Sequence, residues 1–177
     1  MKTQLRLFVR LLLLMAFAVA PLPPRTEASA GLFQPATADS FELLLEGIYE
    51  PVVRGPNLGL TQVNLDDGTY ARTKIFRFAK LPGTTNQPVG NFYVNADITL
   101  CAYQLPGGTF AARFTDFTYE NVEIGGQLYQ VGTAELVILE GNGIYRSFVN
   151  GSIHMEFSTQ VIDDVTFDEH CICFVHR

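Results

Sequence analysis

From Phe92 the chain alternates strictly. Phe92, Val94, Ala96, Ile98, Leu100 and Ala102 share one parity, and Tyr93, Asn95, Asp97, Thr99, Cys101 and Tyr103 the other. A period of two sustained this long predicts a strand with one buried face. Pro106-Gly107-Gly108 turns the chain. The return segment carries Phe110, Ala112 and Phe114 on one face, then switches parity to Phe117 and Tyr119, which predicts a β-bulge near Asp116. Gly125-Gly126 makes the next turn, and QLYQVGTAELVILEG runs into Gly141-Asn142-Gly143. The segment after it places Tyr145, Val149, Ile153, Met155 and Phe157 on one parity and Ser152, His154 and Glu156 on the other, read here as a further strand.

The N-terminal half is less regular. FELLLEG, 41–47, fits a short helix or a buried strand, because periodicity cannot separate the two at that length. ARTKIFRFAK, 71–80, predicts a strand with neither face cleanly apolar: Lys74, Phe76, Phe78 and Lys80 oppose Thr73, Ile75, Arg77 and Ala79. PNLGL and LDDGTY are turn chemistry, and 81–90 reads as a loop. Long strands joined by glycine-rich turns predict an all-β domain over 41–177. A single antiparallel β-barrel is favoured over a β-sandwich, because closure removes exposed edges.

The first 30 residues have a different texture. Lys2, Arg6 and Arg10 precede an apolar block, Leu11 to Ala20, and Ala28-Ser29-Ala30 follows. That order predicts a secretory signal peptide cut after Ala30, with 31–40 an extended lead-in and the product secreted or periplasmic. The block falls short of the roughly 20 apolar residues that span a bilayer. Removing 30 of the 177 residues leaves 147, with eight Lys and Arg against seventeen Asp and Glu, a net charge of −9. So acidic a chain is not expected to bind nucleic acid, nor a membrane once the signal is removed.

The chain closes on EHCICFVHR, 169–177. As a strand it places His170, Ile172, Phe174 and His176 on one face and Cys171, Cys173 and Val175 on the other. Histidines and cysteines therefore do not converge on one tetrahedral site, and no metal or other cofactor is expected. Neighbouring Cys171 and Cys173 sit too far apart along a strand for an ordinary disulfide. In an oxidising compartment Cys101 is expected to bridge Cys171 or Cys173. That bridge would close a loop of about 70 residues and contribute about 4 kcal/mol in the chain-entropy account. Free buried thiols and a three-thiolate site are the alternatives.

The stretch GTAELVILEGNGIYRSFVNGSI, 132–153, carries Gly141, Gly143, Tyr145 and Gly151. A strand ends in a glycine turn, an aromatic follows, and a later glycine permits a tight bend. This pattern resembles the allene oxide cyclase and dirigent-like barrels, mainly over residues 90–158. The resemblance implies a small antiparallel barrel with a partly apolar cavity. It carries no catalytic residue over to this chain. Lipocalins share the barrel shape, but the chain has no Trp for their usual opening motif.

Fourteen Phe and seven Tyr could line such a cavity or simply fill it. The expected function is binding of a small apolar or aromatic molecule. One alternative is a structural or interaction protein; the other is a cyclase or coupling-control enzyme working in the same cavity. The enzyme reading needs an ionisable group facing inward, and Asp97, Glu135 and His154 are its candidates. Asn64, Asp66 and Asp67 suggest a calcium loop only faintly, since the closing glutamate is missing, and a turn is the simpler reading.

Overall fold

The computed structural model describes residues 38–52, 57–61, 70–77, 87–164 and 166–177. The expected signal segment, most of the lead-in, the LDDGT part of the turn with Asn64, Asp66 and Asp67, and Phe78, Ala79 and Lys80 lie outside them.

Eight strands follow in order: β1 (Ser40–Val52), β2 (Tyr70–Arg77), β3 (Gly90–Asn95), β4 (Leu100–Leu105), β5 (Gly108–Ile124), β6 (Gln127–Gly141), β7 (Ser152–Val161) and β8 (Phe167–His176). Each pairs antiparallel with the next, and β1 pairs with β8 from Ser40↔His176 to Ile48↔Asp168, closing an up-and-down barrel. FELLLEG is therefore strand, with Leu43 and Leu45 fully buried. The register shift at Phe114/Asp116 is the bulge that the parity switch predicted.

Two expectations need correction. The alternating run from Phe92 to Tyr103 is not one strand but the hairpin β3–β4. Asn95 makes the turn: its Oδ1 accepts the N–H groups of Thr99 and Leu100, each at 2.9 Å. The register pairs Val94 with Cys101, an even position with an odd one, so the inward parity changes across the turn. Phe92 stays inward, but Cys101, Tyr103 and Leu105 replace Leu100 and Ala102 there. Ala102 instead joins Tyr93, Ala111 and Leu58 in a small cluster outside the main core.

The second correction concerns the chain after Gly141. It forms a 3-10 helix, Gly143–Phe148, before β7 begins at Ser152. Gly143 has φ +55°, and a Cβ there would collide with the Gly107 carbonyl, so glycine is required. Tyr145 and Phe148, three residues apart on one face of this helix, are fully buried. They pack with Phe41 and Phe110 across one end of the barrel, at ring separations of 5.1 to 6.2 Å. Tyr145 donates its hydroxyl to the Pro106 carbonyl at 3.0 Å. Asn142 ties this plug to its surroundings, accepting from Thr109 N–H at 2.8 Å and donating to the Leu58 carbonyl at 2.9 Å.

The interior thus fills from the plugged end. Above the plug, Leu43, Ile75, Phe92, Tyr103 and Met155 form a dense middle layer. The packing does not continue to the far end.

Candidate functional site

At the end away from the plug, the barrel opens on a cavity of about 800 Å³. Its wall is mostly apolar. Phe92, Phe114, Phe117, Tyr119, Phe157 and Phe167 supply aromatic surface, and Ile48 and Ile98 stand at exposed positions beside it. The size and the lining are those of a small-molecule site. Local sequence explains why the end stays open. Among the described residues the 3-10 plug has no counterpart here, and the β5 bulge moves Phe117 onto the cavity face, stacked on Phe157 at 5.1 Å.

One carboxyl lies in this wall. Glu169 of β8 is only 5 % exposed and lines the cavity. Its Oε2 accepts from Thr159 Oγ1 at 2.9 Å, and the Tyr49 hydroxyl donates to the same carboxyl. Burial pushes its pKa up to about 7; the two donors pull the other way, and neighbouring Asp168 adds slightly to the rise. Burial, and then the Glu169 charge, hold the Tyr49 phenol well above its ordinary range. Tyr49 lies within the register shift between Glu46 and Glu50 in β1, where Thr73 donates to the Gly47 carbonyl at 2.9 Å. Among the described residues no Lys, Arg or His lines the cavity. Glu50 at the rim is paired with Arg72, which holds its carboxyl below the usual range.

Beneath the cavity lie the three cysteines, all buried in the core, with Cys171 and Cys173 sharing one face of β8. Cys171 and Cys173 have their Sγ atoms 3.7 Å apart, and the Tyr103 hydroxyl sits 3.8 Å from Cys173 Sγ and 3.6 Å from Met155 Sδ. All three are free thiols in the structure. The expected bridge from Cys101 is not made there; Cys101 Sγ instead faces the Ala112 carbonyl at 3.7 Å. Burial raises the Cys101 and Cys171 thiols well above their ordinary pKa. His170 and His176 are exposed on the other face, so histidine and cysteine are indeed kept apart, and no metal-ligating group of three is found among the described residues.

The acid–base candidates read from the sequence all lie outside. Asp97 is exposed in the β3–β4 turn. Glu135 and His154 pair across β6 and β7 on the outer wall, with Nδ1 and Oε1 2.6 Å apart, and Glu156 lies 3.7 Å from the other ring nitrogen. The His154 ring stacks on Phe174. These contacts make a surface ion-pair cluster, not part of the cavity. A second hollow of about 730 Å³, lined by Leu44, Thr133, Glu156, His170 and Ile172 among others, is more open to solvent and has only Tyr119 and Phe157 as aromatic lining. Sequence reasoning missed Glu169. The signal was present: the alternation that sets Cys171, Cys173 and Val175 on one face includes Glu169 two residues earlier. A charged residue is rarely buried unless paired, and that expectation hid it.

No family model, no curated protein and no solved structure matches the chain.

Proposed function

We propose that this barrel binds one small apolar or aromatic molecule in its mouth cavity. The observation that carries the reading is the contrast between the two ends: one is sealed by Tyr145 and Phe148, and the other, among the described residues, holds a cavity lined with aromatic side chains. An open aromatic cavity holds ordered apolar surface against water, and a ligand that covers that surface releases it. The enzyme reading loses Asp97, Glu135 and His154, which lie outside the cavity. The proposed setting is outside the cytoplasm, on the strength of the N-terminal segment. A shape like that of the allene oxide cyclase and dirigent-like barrels accords with this reading and names no ligand.

A titration with Nile red, a neutral apolar dye, tests it. The wild-type chain is expected to bind one dye with a rise in fluorescence. Val94→Trp, which places a bulky ring in the cavity wall, is expected to weaken binding by about tenfold or more. Equal binding by both proteins, or none by either, defeats the reading.

One observation favours the interaction-protein alternative. Beyond Arg113, β5 has no partner strand on its β4 side among the described residues, and this stretch presents Tyr119 and Ile124 at 50 % and 56 % exposure. An unpaired, partly apolar edge is a surface for strand addition. A concentration-dependent oligomer by light scattering, lost in Tyr119→Lys, would bring that alternative forward.

A further inference from the structure

We propose, resting on the cavity reading above, that the molecule this barrel takes carries a protonated amine, and that Glu169 is the residue that binds it. Three independent features of the cavity point to that class of ligand.

The first is the unused capacity of the carboxyl. An ionised carboxylate accepts about four hydrogen bonds and donates none. Thr159 and Tyr49 supply two. The remaining acceptor sites belong to a group that lines the cavity.

The second is the absence of a countercharge. The groups around Glu169 are Asp168 and the Cys171 thiol on its own strand, Tyr49 on β1 and uncharged Thr159 on β7, while the Arg72-paired Glu50 on β1 lines the same cavity. None is a free cation, and none of the described lining residues is Lys, Arg or His. A neutral apolar ligand that seals the mouth would leave the carboxylate with the Thr159 and Tyr49 hydroxyls but no countercharge. An anionic ligand would meet the same carboxylate and a chain whose net charge is already −6. An ammonium group supplies both the missing charge and N–H donors to the open acceptor sites.

The third is the wall. Phe92, Phe114, Phe117 and Phe157 line the same cavity as Glu169. Aromatic faces attract cations through the ring quadrupole, most strongly where water is excluded. Carboxylate and aromatic rings together favour an ammonium carried on an apolar body over an ammonium alone.

The test uses two probes of one shape, naphthylmethylamine and naphthylmethanol, titrated calorimetrically into wild-type protein and Glu169→Gln. The amine stays protonated throughout the pH range used. The expected result at about pH 8 is that wild type binds the amine about tenfold more tightly than the alcohol. With Glu169 titrating near 7, that ratio should fall toward one at about pH 5.5. In Glu169→Gln it should be close to one at both pH values. The ratio of the two affinities, not either alone, carries the test, and if the variant does not fold, the wild-type pH profile decides. A ratio of one in wild type at high pH overturns the proposal while leaving the cavity reading intact. A ratio that persists in the variant, or is insensitive to pH, overturns it too. Binding of neither probe to wild type defeats the cavity reading and the amine proposal with it.

Discussion

Glu169 shows how one residue sets a pH dependence. Burial pushes its carboxyl up to about 7 in the folded chain, from its ordinary value of about 4.5 when unfolded. Between those values the folded state holds a proton that the unfolded state has lost. Stability therefore falls as pH rises from about 4.5 through about 7, and changes little above that from this group. The full effect of such a shift is roughly 3 kcal/mol, at about 1.4 kcal/mol per pH unit. Urea midpoints of the ligand-free protein are expected to drop between mildly acidic and mildly alkaline buffer, and this component should vanish in Glu169→Gln. Equal slopes in both proteins would mean that Glu169 ionises freely in the folded state. Asn142 is a second residue whose role is local. It satisfies the Thr109 N–H and the Leu58 carbonyl from one side chain. Asn142→Ala is expected to cost about 2 kcal/mol in unfolding free energy, since buried backbone groups lose their partners. A loss under about 0.5 kcal/mol would show that water replaces those contacts.

At the scale of elements, the middle of the barrel is a packed thiol layer. Cys171 and Cys173 lie side by side on β8, and Cys101 stands on β4 within the same core. Burial and raised thiol pKa values make Cys101 and Cys171 poor nucleophiles. A thiol reagent is expected to label none of the three rapidly in native protein and all three after denaturation. An intact mass about 2 Da below the reduced chain would instead restore the bridge expected from an oxidising compartment. Much of the element order was legible in the sequence. Gly107, Gly125 and Gly126 mark turns, and the switch from Phe114 to Phe117 marks the bulge. What was not legible had physical causes. The β3–β4 turn is built from Asn95 and a left-handed Ile98 rather than glycine or proline, so alternation appeared to run straight through it. The 3-10 helix is too short for a helical period, and its two anchors, Tyr145 and Phe148, have opposite strand parity.

At the largest scale, the barrel is asymmetric along its axis. Aromatic packing with Tyr145 and Phe148 closes one end, sulfur and aliphatic side chains fill the middle, and the other end is an aromatic-walled cavity with a buried carboxyl. On the outer wall, Glu135, His154 and Glu156 form a solvated polar cluster. The barrel was readable from strand periodicity, because closure is the economical way to bury edges. The location of the cavity was not, since it depends on which end the 3-10 helix plugs. The most direct measurement is native mass spectrometry of the protein isolated from its own host, with the denatured mass beside it. The account predicts a discrete excess of one small molecule per chain, released on denaturation and carrying a basic amine. Equal native and denatured masses, whether as a monomer or as an exact multiple of one chain, would contradict it.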